Sequence, residues 1–276
     1  QHLVCCKIQS SEHVLSLGWS PNGRQIAIGS LSGRAWLWNP TGSENQPPSS
    51  KLLLRDSQRV VACQFDARGH GVWIGAESGI VRLFDEHGTE LRRVEHPDGI
   101  TGMQLSSNGQ VLATAGRDQR LRLWDADRGH LRHVVRPARA TTTDVSPRRW
   151  PNGRIHSLEF SPDSRWLATG CFDGQLRLWD VRSGDCRWSD GSHQWIIYDL
   201  DFSSDGTQLV AASTDRTLSL WRVRTDSGVV VRRTGTLRGH SDGVRAAEFD
   251  DTGAWLLSGS WDKTVGLWRL SDGALV

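Results

Sequence analysis

The sequence predicts an all-β fold assembled from six copies of one four-stranded unit. Apolar and polar residues alternate over strand-sized runs, turn signals separate those runs, and the pattern recurs along all 276 residues. No stretch sustains a helical period.

The best-preserved copy runs from Leu237 to Arg269, LRGHSDGVRAAEFDDTGAWLLSGSWDKTVGLWR. Six aromatics close successive units: Trp38, Phe84, Trp124, Trp179, Trp221 and Trp268, with separations of 46, 40, 55, 42 and 47. Six residues before each stands a turn residue, namely Ser32, Ser78, Asp118, Asp173, Asp215 or Asp262. A Val or Ile (Val14, Val60, Ile100, Ile155, Ile197, Val244) lies five residues before Trp19, Phe65, Leu105, Phe160, Phe202 and Phe249. A period of about 40–45 residues with four short strands per unit is that of propeller blades. Leu-Arg-Leu-Trp at 121–124 and at 176–179 alternates as a half-buried strand does. Asn22-Gly23, Asn108-Gly109, Asp163-Ser164, Asp205-Gly206 and Asp251-Thr252-Gly253 supply hairpin turns.

Composition narrows the function classes. Charged residues are 23% and the net charge is +2, which favours neither a nucleic-acid protein nor an acidic tail. Fourteen Trp accompany one Tyr and one Met, and 29 Gly suit many turns. The apolar runs are strand-sized, so none reads as a membrane helix. The five cysteines (Cys5, Cys6, Cys63, Cys171, Cys186) form no CxxC and read as reduced, buried thiols of a cytoplasmic protein. The ten His show no HxH or HExxH, and no phosphate-binding loop follows a strand, so neither metal nor cofactor is expected. The first residue is Gln1 and no signal-peptide pattern follows, which reads as an excised part of a longer chain.

These residues resemble the WD-repeat β-propeller family over nearly the whole chain. Leu-Trp-Asp stands at 123–125 and 178–180, and Gly-His at 239–240. Other units depart from the pattern, as at Trp38-Asn39, Phe84-Asp85, Trp221-Arg222 and Trp268-Arg269. The resemblance implies a buried hydrogen-bond tetrad of His, Ser or Thr, Asp and Trp. It maps fully onto His240, Ser258, Asp262 and Trp268, and onto His96, Thr114, Asp118 and Trp124. It maps in part onto Thr169, Asp173 and Trp179, with Pro151 at the His place, and onto His193, Asp215 and Trp221, with Ala211 at the Ser/Thr place. The first two units keep only the aromatic. Ser258, His240 and Asp262 could be written as a hydrolytic triad, but the tetrad explains their spacing, and no enzyme is expected.

The expected architecture is a single propeller domain over 1–276. Its six blades fall at about 13–56, 57–95, 96–136, 153–192, 193–238 and 239–276. Strand 2–8 is expected to close the ring by pairing with the last blade; a seventh blade in a longer parent chain is the alternative. A polar Pro/Ser loop covers 39–51, and an insertion loop covers 137–152.

The resemblance also implies a ligand face made by the loops into each first strand and the turns between second and third strands. Carried over, its positions include Arg59, Glu77, Arg117, Arg154, His156, Phe172, Tyr198, Arg245 and Trp261. Arg and aromatic residues are enriched at interface hot spots. The expected function is a protein-interaction, scaffold or sensor domain of a larger signalling protein, docking an acidic or phosphorylated segment. The alternative is nucleic-acid binding through the basic 136–154 loop.

Overall fold

A computed structural model describes residues 12–40, 49–69, 71–136, 153–191, 193–224 and 229–276. The anticipated closing strand 2–8, the insertion 137–152 and Pro151 lie outside the described residues. Among the described residues, twenty-four strands form six four-stranded antiparallel sheets, each in chain order. Sheet 1 holds β1 (Val14–Trp19), β2 (Ile26–Ser30), β3 (Arg34–Asn39) and β4 (Ser49–Arg55). Sheet 2 holds β5 (Val60–Phe65), β6 (Val72–Ala76), β7 (Ile80–Phe84) and β8 (Glu90–Glu95). Sheet 3 holds β9 (Ile100–Leu105), β10 (Val111–Gly116), β11 (Leu121–Asp125) and β12 (Leu131–Val135). Sheet 4 holds β13 (Ile155–Phe160), β14 (Trp166–Cys171), β15 (Leu176–Asp180) and β16 (Cys186–Asp190). Sheet 5 holds β17 (Ile197–Phe202), β18 (Gln208–Ser213), β19 (Thr217–Arg224) and β20 (Val230–Arg238). Sheet 6 holds β21 (Val244–Phe249), β22 (Trp255–Ser260), β23 (Val265–Arg269) and β24 (Ala274–Leu275). The fourth place in sheet 6 is thus taken by the chain's own 274–275, paired with Arg269 and Trp268. The sheets are the blades of the propeller class.

Local chemistry explains the hairpins between first and second strands. The Ser20 hydroxyl donates to Asn22 Oδ1 (2.8 Å) and accepts the Gln25 N–H (2.8 Å). This ties a turn in which Gly23 takes φ 66°, a region that disfavours side chains. Ser106 with Asn108, Ser161 with Asp163, and Ser203 with Asp205 repeat the device. In sheet 6 the Asp250 carboxylate replaces the hydroxyl, accepting the N–H groups of Ala254 and Trp255.

The chain divides into two compact units, 1–118 with 124–130, and 119–123 with 131–276. In the first, Ala27 and Ala35 of sheet 1 cluster with Val60 and Cys63 of sheet 2, and Trp73, Val81 and Leu83 cluster with Ile100 and Met103. In the second, Ala168, Leu176 and Leu178 of sheet 4 cluster with Ile197, Leu200 and Phe202 of sheet 5. Val210, Leu218 and Leu220 in turn cluster with Val244, Ala247 and Phe249 of sheet 6. Each such aliphatic side chain contributes about 1.5–3 kcal/mol when fully buried.

Close approach is possible because the second strand offers a glycine where the next sheet's Val or Ile arrives. A Cβ on Gly29, Gly75 or Gly170 would stand 2.5 Å from Val60 Cγ1, 2.9 Å from Ile100 Cδ1 or 2.5 Å from Ile197 Cγ2. Polar side chains on the first strands complete these junctions. Gln64 Oε1 accepts the Leu105 N–H (2.7 Å), Asp199 Oδ2 the Ala247 N–H (3.0 Å) and Asp201 Oδ2 the Phe249 N–H (2.7 Å).

Within sheet 6 a buried relay joins turn to strand. Trp268 Nε1–H donates to Ser258 Oγ (2.8 Å), which pairs with His240 Nε2 (2.7 Å). His240 Nδ1 pairs with Asp262 Oδ2 (2.9 Å). The ionised Asp262 carboxylate can only accept, so the imidazole proton sits on Nδ1, and in the neutral ring Nε2 accepts from the Ser258 hydroxyl. Hydrogen bonding by Thr264, and then by His240, holds the Asp262 carboxyl well below the usual range against the cost of burial. In sheet 3, Trp124 Nε1 reaches Thr114 Oγ1 (2.9 Å), Thr114 meets His96 Nδ1 (2.8 Å), and His96 Nε2 meets Asp118 (3.1 Å). The imidazole is turned over relative to sheet 6.

The remaining relays are partial. Sheet 4 keeps Trp179 Nε1 on Thr169 Oγ1 (2.9 Å), while Asp173 Oδ1 accepts the Gln175 N–H. Sheet 5 keeps His193 Nδ1 on Asp215 (2.8 Å), but with Ala211 in the hydroxyl position, His193 Nε2 and Trp221 Nε1 are both buried and find no partner among the described residues. Sheet 2 was expected to keep only its aromatic. Instead Ser78 donates to Asp56 (3.0 Å) across the same 22-residue separation that links His96 to Asp118. Sheet 1 uses Glu12, which accepts from Ser32 (2.5 Å) and Arg34 (2.6 Å).

One expectation is corrected among the cysteines. Cys63 and Cys171 are buried, and burial pushes their thiols up to about 11 and about 12. Cys186 is instead exposed, because it starts the outermost strand of sheet 4, where one edge faces solvent.

Two outcomes follow from these contacts. Gly170→Val should destabilise by about 1–3 kcal/mol or more through overpacking against Ile197, read by urea denaturation. Ala211→Ser should stabilise by about 1 kcal/mol by giving His193 and Trp221 a shared partner; an unchanged midpoint in the same assay would contradict the sheet 5 geometry.

Candidate functional site

The ends of the sheets where first strands begin share one backbone device. The N–H of the residue before each turn Asp or Ser donates to the carbonyl just before the first-strand Val or Ile. The six bonds are Leu31 to His13 (2.9 Å), Glu77 to Arg59 (2.8 Å), Arg117 to Gly99 (3.1 Å), Phe172 to Arg154 (2.9 Å), Thr214 to Ile196 (3.0 Å) and Trp261 to Gly243 (3.0 Å). The next residue is then skipped by the pairing. Val14, Val60, Ile155, Ile197 and Val244 pair with second-strand residues, but Leu15, Val61, His156, Tyr198 and Arg245 do not. Thr101 is skipped likewise in sheet 3. A bulge re-aims the extra side chain, so each sheet presents one bulged residue beside one turn residue.

In the first unit these positions form an ion cluster. Glu77 accepts from Arg59 (3.0 Å) and also from Arg117. The Glu77 side chain is 13% exposed and each Arg 45%, so two cations lie at the surface around one sheltered carboxylate.

In the second unit they form a ladder of rings across sheets 4, 5 and 6. His156 lies 5.3 Å from Phe172 and 4.3 Å from Tyr198, and Tyr198 lies 5.5 Å from Trp261, edge-on in the last two pairs. Arg154 stacks over Phe172 at 4.8 Å, and Arg245 lies 3.7 Å over Tyr198 and 5.0 Å over Trp261. Such stacking contributes about 0.5–2 kcal/mol per pair and holds each guanidinium in a fixed plane. Burial first, then the charges of Arg245 and Arg154, lower His156 to about 4. His156 is therefore neutral near pH 7 and serves as a ring. Trp261 remains 48% exposed, while Phe172 and Tyr198 are half-buried.

The nine anticipated face residues therefore fall into two groups: Arg59, Glu77 and Arg117 in one unit, and Arg154, His156, Phe172, Tyr198, Arg245 and Trp261 in the other. The anticipated face did not include Trp195, which is 53% exposed in the loop entering β17. It precedes the first-strand Ile by two residues, outside the three positions carried over. Ser258, His240 and Asp262 offer no free nucleophile, since the Ser258 hydroxyl is held by both Trp268 and His240.

Below the face, the first strands of sheets 4 to 6 carry a row of carboxylates. Burial raises Glu159 well above the usual range, with Asp201 and Asp199 adding repulsion. Burial also raises Asp199 and Asp201 to about 6 each, despite the N–H groups of Ala247 and Phe249. Asp215 behaves oppositely: burial opposes its charge, but the His193 hydrogen bond prevails and lowers it to about 2.

Six sheets of four strands, with a complete Trp–hydroxyl–His–Asp relay in sheets 3 and 6 and a partial one in sheets 4 and 5, define the repeat class of WD-type propellers. The family model described as "WD domain, G-beta repeat" matches residues 4–39, 88–125, 148–180, 184–222 and 231–269, about two-thirds of the sequence. The chain belongs to the WD40 repeat family. It is 24% identical over 232 residues to the beta subunit of a guanine nucleotide-binding protein from Nicotiana plumbaginifolia, covering 66% of this chain and 60% of that protein. The Oryza sativa subsp. japonica protein of the same description is 27% identical over 186 residues, covering 62% and 45%. One subunit of chromatin assembly factor 1 from Saccharomyces cerevisiae is 26% identical over 182 residues, covering 52% and 39%. The chain thus spans 60% or less of the length of these curated relatives. Among the described residues, no helix is long and apolar enough to cross a membrane.

The carboxylate row sets a pH dependence. Asp199 and Asp201 hold protons in the folded state up to about pH 6 that the unfolded chain releases near 3.8. Their contribution therefore falls as pH rises between those values. His156, lowered from 6.5 to about 4, has the opposite sign over a similar window, but it is one group against three carboxylates. Urea denaturation should show stability falling from pH 4.5 to 6.5, with a smaller fall in Asp199→Asn/Asp201→Asn.

Proposed function

We propose that the ring-and-guanidinium ladder on sheets 4 to 6 docks an extended protein segment that is acidic or phosphorylated. The stacking of Arg245 on Tyr198 and Trp261 carries this reading. It orients a planar donor fork at the surface, and such a fork suits carboxylate or phosphate oxygens. Trp261 and the Tyr198 edge supply the apolar area that anchors a segment, so charge and shape are read together. Among the described residues Arg245 makes no ion pair, unlike Arg59 and Arg117, which share Glu77.

The relatives are named as subunits of a guanine nucleotide-binding protein and of a chromatin assembly factor, both multi-protein assemblies. That supports a scaffold or interaction role for this chain within a larger signalling protein. The nucleic-acid reading draws on the 136–154 loop, but 137–152 lie outside the described residues, and the net charge is only +2.

Replacing Arg154, Arg245 and Trp261 together by Ala should reduce recovery of the bound partner by tagged pull-down about tenfold or more, each hot-spot loss being about 1–2 kcal/mol. The variant should stay folded, with unchanged far-UV circular dichroism and a lowered melting temperature, because the stacked pairs of Arg154, Arg245 and Trp261 are lost while the relays stay intact. Undiminished recovery would exclude this face. Binding to RNA or DNA that weakens steeply with salt would favour the other reading.

A further inference from the structure

The third and fourth strands of sheet 5 run on past those of the other sheets. β19 has 8 residues and β20 has 9, against 5 or 6 for the other third strands and 7 or fewer for the other fourth strands. The extension starts at Arg222, the residue after the closing aromatic. In sheets 2 to 4 that place holds Asp85, Asp125 or Asp180. Their carboxylates accept the N–H groups of Thr89, of Arg128, and of Arg182 and Ser183, which ends each strand in a turn. A guanidinium cannot accept, and sheet 5 continues as a two-stranded ribbon. In sheet 6 the place holds Arg269, which is paired with Asp272 at 2.8 Å.

Arg222 meets another Arg instead. The register sets Arg222 opposite Arg232, Val223 opposite Val231 and Arg224 opposite Val230. Directly opposed residues share a face with Cβ atoms about 4.5–5.5 Å apart, and diagonal neighbours stand about 7–8 Å apart. Alternation puts Arg224 on the same face as Arg222. All three Arg are exposed, and they make no ion pair among the described residues. Like charges directly opposite are destabilising. The other face holds the ribbon in place. Val223 and Val231 pack in one cluster with Trp166 of sheet 4, and Arg233 lies 5.9 Å over Trp221 while donating to Ser219 and Thr236, both at 2.8 Å. Asp163 and Asp205 line one cavity of about 570 Å³ with Arg222 and Arg224. Both carboxylates are engaged in their own hairpins, Asp163 by the Ser161 hydroxyl and the Arg165 N–H, and Asp205 by Ser203 and Thr207.

We propose that the face of this ribbon bearing Arg222, Arg224 and Arg232 binds a phosphate monoester. A dianion between Arg222 and Arg232 turns a repulsive contact into a bridged one. Three guanidinium groups offer more donors than the two oxygens of a carboxylate take, whereas a phosphate monoester presents three acceptor oxygens and up to two charges. Three cations on one short ribbon fit a single such group, and a chain of net charge +2 has no long basic track beside it. The site is independent of the ring-and-guanidinium ladder and of what the ladder binds.

Melting of the 276-residue chain tests it in two steps. At low salt, Arg222→Asp and Arg232→Glu should each raise the melting temperature by about 1–3 °C, since each replaces a like-charge contact by an ion pair. No rise in either variant would overturn the opposed geometry. Inorganic phosphate is then compared with sodium chloride at equal ionic strength. Phosphate also stabilises proteins by exclusion from their surface, so the variants set the baseline. The wild-type chain should gain more from phosphate than either variant does, and Arg245→Ala should keep that excess. An equal gain in wild type and variants would overturn the proposal, as would a wild-type gain matched by chloride, which is screening alone. Vesicles of phosphatidylcholine with phosphatidic acid carry the same group and separate its sources. Co-flotation that Arg222→Asp abolishes would assign a lipid headgroup, and a phosphate excess without co-flotation would assign a soluble phosphoester.

Discussion

A four-stranded sheet that is apolar on both faces cannot stand in water, and covering those faces is the constraint on which this chain depends. The residues that meet that constraint recur at fixed places. Gly29, Gly75 and Gly170 let the neighbouring Val or Ile approach, Leu or Val at the third-strand positions fills the layer, and Gln64, Asp199 and Asp201 capture a neighbouring N–H. Where the constraint is unmet, on Leu257, Val265 and Leu267, large apolar side chains stand in solvent.

Covering explains how sheets adhere, and the relays explain how their ends stay in place. Trp268, Ser258, His240 and Asp262 connect the sheet interior to the loop entering β21 and to the turn before β23. The first leads into the bulge at Arg245 in β21, and the second carries Trp261. The main-chain bond from Trp261 N–H to Gly243 then sets the spacing between them. A binding surface built on bulges and turns acquires defined geometry only if its supports are fixed. Buried polar side chains here position exposed ones.

Much of this was legible in the sequence because its causes are local. Alternation at 121–124 and 176–179, Asn-Gly and Asp-Gly turns, and aromatics at nearly constant spacing each reflect one strand or one hairpin. The bulges at His156, Tyr198 and Arg245 were not legible, since a skipped residue leaves the alternation on either side intact. The Asp56–Ser78 pair was missed because it reverses the polarity of the His–Asp pattern while keeping its 22-residue separation. The positions carried over from the resemblance also grouped Arg59 and Arg117 with Arg154 and Arg245. Only the structure shows the first pair sharing Glu77 and the second stacked on rings. Exposure of the sheet 6 face depends on what packs there, which no local pattern encodes.

The claim that the bulge-and-turn ends of sheets 4 to 6 form the binding surface can be tested without altering the protein. Hydrogen exchange with mass spectrometry would compare the chain alone with the chain bound to its recovered partner. The account predicts new protection at 154–156, 172, 196–198, 214, 243–245 and 261. Protection confined to the opposite hairpins, at 162–164, 205–206 and 251–253, would contradict it.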